Sequence, residues 1–226
     1  MPMATMQDRF SVILPGRLFL GDMTAAINAD LMLDQLNVTH VVNASNRTAP
    51  NAFADRGVSY LNVDLEDDVG ADIKCCLDGA CLYIKDALAK PKGVVFVHCM
   101  VGVSRSATIT VAAMCCLGKE GSSQPMSLRE AFDHVKERRP AIRPNPLFAE
   151  QLLEWAALRN PDKSAAPDIT AEDICGGSLK FYKVGAKAAA ARGALDRLGS
   201  DGSDSGSSWL VWVVVVAAVV LAAVVL

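Results

Sequence analysis

A chain of 226 residues with 22 basic and 25 acidic side chains and a net charge of −3 has room for one catalytic domain plus extensions, and it lacks the basic excess that a nucleic-acid partner would call for. Its seven cysteines include two adjacent pairs, Cys75-Cys76 and Cys115-Cys116, and none shows zinc-ligand spacing, which reads as reduced cytosolic thiols rather than a disulfide framework. The 51% hydrophobic content is high for a soluble protein, and the last eighteen residues inflate it.

Residues 1–10 contain no apolar run of signal-peptide length, so entry into the secretory pathway is not expected. Residues 12–14 and 17–20 are apolar clusters around Pro15-Gly16, the pattern of two short strands joined by a turn. Residues 24–36 carry apolar side chains at helical spacing (Ala26, Ile27, Leu31, Leu33, Leu36), with Thr24 as candidate N-cap. Residues 40–43 read as a buried strand and 58–65 as another, separated by a loop containing Pro50. The Asn-x-Ser/Thr triplets at Asn37, Asn43 and Asn46 have no meaning without secretion.

After Leu65 comes an acidic loop with Glu66, Asp67, Asp68 and Gly70, and then a helix over about 71–89, whose core stripe includes Ile73, Cys76, Leu77, Ala80, Leu82, Ile84 and Leu88. Cys75, Cys76 and Cys81 read there as small apolar fillers. Residues 93–97 form a β-branched run, and 106–117 a nearly all-apolar helix. Ser127 and Glu130 have capping-box spacing ahead of a helix over 128–138. Three prolines then interrupt residues 139–146, and 147–158 form a final amphipathic helix. Strands alternating with helices predict an α/β fold with a central, mostly parallel sheet flanked by helices.

Between the 93–97 strand and the next helix stand His98, Cys99, Met100, Val101, Gly102, Val103, Ser104, Arg105 and Ser106. A loop that passes from strand into helix gathers inward N–H groups and the positive end of a helix dipole, which favours an anion. A cysteine placed there is expected to have a lowered pKa. Arg105 offers a planar fork that matches two oxygens of a phosphate. Nucleophile plus cradle implies phosphoryl transfer through cysteine.

The Cys-x5-Arg-Ser spacing resembles the signature of the protein tyrosine phosphatase superfamily, and residues 12–159 resemble its atypical dual-specificity branch throughout. Further landmarks are Leu18-Phe19-Leu20-Gly21, Val41-Val42-Asn43-Ala44, and the run from Glu137 to Leu152 that includes Arg139, Pro144, Asn145 and Phe148. The resemblance implies a five-stranded sheet, Cys99 as nucleophile, and Arg105 with the backbone of Met100, Val101, Gly102, Val103 and Ser104 as the phosphate cradle. It implies that Ser106 assists the departing thiolate, that His98 shapes the loop, and that Asn145 braces it. Only the acidic loop supplies clustered carboxylates for a proton donor. Alignment with the family places Asp67 there, 32 residues before Cys99, with Asp68 as the alternative. Arg138, Arg139 and Arg143 read either as a basic rim for phosphorylated substrates or as ordinary helix-end charges. No metal or cofactor is required.

The loop has no lysine of the kind that phosphoinositide-directed relatives carry, and it ends Ser-Arg-Ser rather than in the Asn-Arg-Thr of RNA triphosphatases. The expected activity is therefore hydrolysis of phosphotyrosine and phosphoserine or phosphothreonine in phosphoproteins, a kinase among the candidate substrates. The alternatives are a membrane-bound phosphoinositide phosphatase and a silent phosphate-binding scaffold.

The domain organisation read from the chain is an extension over 1–10, a catalytic domain over 11–159, a flexible linker over 160–208 with a weak helix over 184–198, and a membrane segment over 209–226. The eighteen uncharged apolar residues of that last segment reach roughly 27 Å as a helix, close to the ~30 Å hydrocarbon thickness. Trp209 and Trp212 stand at one end, where indoles favour the interface. The expectation is a tail anchor with the catalytic domain in the cytosol, at the endoplasmic reticulum in preference to the mitochondrial outer membrane. A glycolipid-anchor signal has a similar outline but needs secretion. Oligomeric state is left open.

Overall fold

The structure, a computed structural model, describes residues 5–45, 48–68, 70–118, 124–160 and 167–176. The candidate membrane segment over 209–226, the candidate helix over 184–198 and most of the 160–208 linker lie outside these residues. Among the described residues no helix is long and apolar enough to cross a membrane.

Five strands form one sheet: β1 (Phe10–Leu14), β2 (Leu18–Gly21), β3 (His40–Asn43), β4 (Ser59–Asn62) and β5 (Val95–His98), in the order β1-β2-β5-β3-β4. The Pro15-Gly16 turn makes β1 and β2 antiparallel, and the β2–β5, β5–β3 and β3–β4 pairs are parallel. The helices are α1 (Met23–Ala26), α2 (Lys74–Ala89), α3 (Arg105–Leu117), α4 (Leu128–Arg138), α5 (Pro146–Arg159) and α6 (Ala171–Cys175). The central strands β2, β3 and β5 are buried along their whole length, as expected for parallel strands covered on both faces. Alternation along them divides the core. Phe19, Val41 and Phe96 pack with Ala25, Met32 and Phe53, while Leu18, Leu20, Val42, Val95 and Val97 turn to the other face.

The helix expected over 24–36 is two pieces. Asp22, not Thr24, caps α1 by accepting from the Ala25 N–H (2.9 Å). Asn28 then starts a separate π-helical turn, Asp30–Gln35, by accepting from the Leu31 N–H (2.8 Å). A second polar cap inside the apolar period is what divides it. The strand expected over 58–65 stops at Asn62, which frees the Leu65 carbonyl for the site described below.

α2 begins at Lys74 rather than 71, because Gln151 of α5 clamps its start: Lys74 N–H donates to Gln151 Oε1 (3.1 Å), and Gln151 Nε2 donates to the Ala71 carbonyl (2.9 Å). Leu82, expected in the core, is exposed, as is Cys75, while Cys81 is buried. α6 stands within the segment read as linker. A Thr170–Asp173 capping box starts it, and Ile174 and Cys175 are buried where it packs against α5, so the first compact unit of the chain runs to Gly177.

Phe96 sits at the centre of the sheet with no exposure. Phe96→Ala is expected to cost about 3–5 kcal/mol of unfolding free energy, read as a lower midpoint in a urea titration with unchanged far-UV dichroism before the transition.

Candidate active site

The chain leaves β5 at His98 and enters α3 at Arg105, so Cys99 lies where a central strand gives way to a helix N-terminus. Cys99 is buried, with 2% of the residue exposed. Burial pushes the Cys99 pKa up, but the Ser106 hydroxyl and the N–H groups of Ser106, Val101 and Gly102 outweigh that, and the net shift is downward. Gly102 N–H donates to Sγ at 3.2 Å and Ser106 Oγ at 3.1 Å. The sulfur therefore sits in a ring of donors before any substrate arrives.

Gly102 gives the loop its tight path. Its φ is +72°, and a Cβ there would come within 2.5 Å of the Gly21 carbonyl oxygen. From behind, Arg139 donates from Nε to the Gly102 carbonyl (2.7 Å) and from a terminal nitrogen to the Val101 carbonyl (3.4 Å). With these carbonyls drawn outward, the amide N–H groups face inward. Arg139 is buried, with burial pulling its pKa down while Asp22 and Cys99 act to raise it. It is thus a brace of the loop and not part of a basic rim. Arg138 is exposed and donates to the His134 carbonyl of its own helix, an ordinary helix-end contact, and Arg143 is also exposed.

Arg105 is buried at the start of α3, with one terminal nitrogen donating to the Leu65 carbonyl (3.0 Å). Its Nε has no hydrogen-bond partner among the described residues. Oδ2 of Asp67 stands 3.7 Å from it, within ion-pair reach but beyond a hydrogen bond. A buried guanidinium N–H of this kind is a donor suited to an oxyanion.

Asp67 is brought to the same place. Its Oδ1 accepts from Ser104 Oγ (2.9 Å) and from Asn145 Nδ2 (2.6 Å). Asn145 Oδ1 in turn caps α5 by accepting from the Phe148 N–H (2.9 Å), and the Asn145 N–H donates to Ser104 Oγ (3.0 Å). Asp68 instead closes its own turn, accepting from the Gly70 N–H (2.9 Å). Of the two, Asp67 is the carboxylate directed at the loop.

His98 is buried at the end of β5, its Nδ1 3.4 Å from Ser45 Oγ. Burial holds its pKa down to about 4, against a backbone hydrogen bond at Cys99 and the Asp22 charge. Met100 and Val101 are exposed at the outer edge of the loop, and Val103 accepts from the Arg143 N–H through its carbonyl (2.9 Å). Sequence reasoning missed Asp22 altogether and left Arg139 undecided. The one available signal for Asp22 was its place directly after the β2 strand.

A buried low-pKa cysteine, a ring of inward donors, an arginine fork and a nearby carboxylate on a mostly parallel sheet define a cysteine-dependent phosphate-ester site. Residues 18–157 match the family described as dual specificity phosphatase, catalytic domain, and the chain belongs to that family. Dual specificity protein phosphatase 26 of Bos taurus is 39% identical over 144 residues, 62% of this chain and 64% of that protein. Dual specificity protein phosphatase Mpk3 of Drosophila melanogaster is 34% identical over 144 residues, 63% of this chain and 33% of that one. The chain thus spans under two thirds of the length of these curated relatives. The crystal structure of human DUSP28 superposes with a TM-score of 0.58 at 32% identity, covering 70% of this chain and 99% of that one.

Neutral, buried His98 ties stability to pH. Its folded pKa lies below its unfolded value of about 6.5, so between these two pH values the unfolded chain binds more protons. Stability is therefore full above the unfolded pKa and falls as pH drops toward about 4, by about 3 kcal/mol over the window. Denaturant titrations from pH 7 to pH 4 should show this loss, and His98→Gln should flatten it.

Proposed function

We propose that this chain is a dual-specificity protein phosphatase that hydrolyses phosphotyrosine and phosphoserine or phosphothreonine esters through a cysteinyl-phosphate intermediate. The observation that carries the reading is the convergence of the Cys99 sulfur, the buried Arg105 Nε and the Asp67 carboxylate on one nine-residue loop. Family membership and the names of the relatives support it.

In the first step the Cys99 thiolate attacks phosphorus while the bond to the ester oxygen breaks. Arg105 and the loop N–H groups hold the three equatorial oxygens as charge redistributes. The leaving alkoxide or phenoxide takes a proton from Asp67. Both hydrogen bonds to Asp67 fall on Oδ1, so Oδ2 is the oxygen available to carry that proton. In the second step Asp67 takes a proton from water, the water oxygen bonds to phosphorus, and the sulfur–phosphorus bond breaks. Ser106 Oγ, 3.1 Å from the sulfur, stabilises the thiolate as it leaves.

The rim at Met100 and Val101 is apolar and exposed, and the loop carries no lysine, which favours a phosphopeptide over a polyanionic inositol headgroup. The apolar segment over 209–226 we read as membrane-inserting. That reading places the domain on the cytosolic side of a membrane, with the endoplasmic reticulum preferred, and it rests on composition.

Cys99→Ser is expected to abolish release of phosphate from an aryl phosphate. Asp67→Asn should lower kcat by about 10²–10⁴-fold and remove one limb of its pH profile, while Asp68→Asn stays close to the parent enzyme. The parent should have a higher kcat/KM on a diphosphorylated kinase peptide than on phosphoinositide vesicles, and the reverse order would overturn the protein-phosphatase reading. A fluorescent fusion at the N-terminus should be membrane-bound with residues 209–226 and diffuse without them.

A further inference from the structure

Asp67 sits in a stretch with no regular frame of its own. β4 ends at Asn62 and α2 starts at Lys74, and none of the described residues between them belongs to a strand or a helix. Such backbone is placed by the groups that satisfy it. Arg105 takes the Leu65 carbonyl (3.0 Å), and Ser104 and Asn145 hold Oδ1 of Asp67 (2.9 and 2.6 Å). Those contacts fix the near end of the loop. The far end, where the chain turns into α2, is held by Gln151 of α5.

Ile73 stands at the N-cap position of α2 and supplies no side-chain cap, so the Lys74 N–H needs an acceptor from outside the helix. Gln151 Oε1 is that acceptor at 3.1 Å. A cap requires no more than this. The other half of the same amide reaches past the helix to the loop, where Nε2 donates to the Ala71 carbonyl (2.9 Å), four residues beyond Asp67. Lys74 Nζ adds an ion pair to Glu154 of the same helix (2.6 Å). Asn145 caps α5 and Gln151 lies in its second turn, so the segment from Asp67 to Ala71 is tied at both ends to one helix.

We propose that Gln151 is a positioning residue for phosphoryl transfer, holding the Asp67 carboxylate at the leaving-group oxygen by anchoring its loop at Ala71, an inference that rests on Asp67 being the proton donor. Its bonds are to Ala71 and Lys74, so it acts through the loop backbone. In the first step the Cys99 sulfur bonds to phosphorus, the phosphorus–oxygen bond breaks, and the leaving oxygen takes the Asp67 proton. A displacement on the order of 1 Å costs such a transfer up to about 10²-fold. The loss falls on one class of ester. The leaving oxygen of phenyl phosphate needs the proton as its bond breaks, whereas a difluorinated methylumbelliferyl phosphate releases a stabilised anion without it.

The test measures kcat/KM, which reports the steps up to the cysteinyl phosphate, on both esters with the full chain in mild detergent. Gln151→Met keeps the length of the side chain and loses both bonds. It is expected to lower kcat/KM on phenyl phosphate by about 10-fold and to leave the fluorinated ester within about twofold of the parent. Added to Asp67→Asn it should bring no further loss, because both changes remove the same proton transfer. Gln151→Glu keeps an acceptor for the Lys74 N–H and loses the donor to Ala71. It should show the same dependence on the ester, and it carries the comparison if Gln151→Met does not fold. Equal losses on the two esters, a loss that persists in Asp67→Asn, or no loss at all would overturn the proposal. Asp67→Asn that slows both esters equally would instead remove Asp67 as the donor, and the proposal with it, which separates failure of that reading from failure of Gln151 as its anchor.

Discussion

A thiol on a residue only 2% exposed resists ionisation, because losing water costs the charged form far more than the neutral one. At Cys99 that penalty is met by donors in fixed positions: the Ser106 hydroxyl and the N–H groups of Val101, Gly102 and Ser106. Much of the fold serves to keep those donors aimed. The central parallel strand β5 carries Cys99 to the C-terminal end of the sheet, α3 starts six residues later, and between them the loop turns its amides toward the sulfur. Such a turn places carbonyls on the outer side, where burial would orphan them.

Arg139 resolves that second difficulty. Its guanidinium takes the Val101 and Gly102 carbonyls from behind, and Asp22 supplies an opposing charge nearby. Asp22 is committed in turn to Arg9 (3.0 Å) and to the cap of α1. A chain of charges thus runs from Arg9, just ahead of β1, through the buried Asp22 to the buried Arg139 behind the loop. Packing adds its own demand at Gly102, where the Gly21 carbonyl leaves no space for a side chain. The sulfur's electrostatics and the loop's sterics are settled by the same few residues.

Much of this was legible from residue order. The apolar runs of β2, β3 and β5, the Pro15-Gly16 turn, the Ser127 capping box and the proline break before α5 all act locally, so pattern and turn chemistry find them. The failures are equally physical. Asn28 cut a helical period because its side chain competes for a backbone N–H, which apolar spacing does not register. The helix α6 is five residues long in a polar stretch and depends on Ile174 and Cys175 meeting α5, a contact invisible in composition. Arg139 read as a surface charge because its partners, Gly102 and Val101, lie 37 and 38 positions away. The neighbourhood of Asp67 is non-local too, built from Ser104 and Asn145, though the family resemblance pointed to that carboxylate among Asp64, Glu66, Asp67 and Asp68.

Asn145 has a role larger than its single side chain. One end of its amide terminates α5 and the other holds Asp67, so the proposed proton donor is registered to the first turn of a helix whose body is buried against the core. A carboxylate carried on a swinging lid must be recruited by each substrate, and the binding energy spent on closure can be made to depend on having the right one. A carboxylate preset in this way imposes no closure step. Selectivity then falls to the contacts a substrate makes around the loop before chemistry begins.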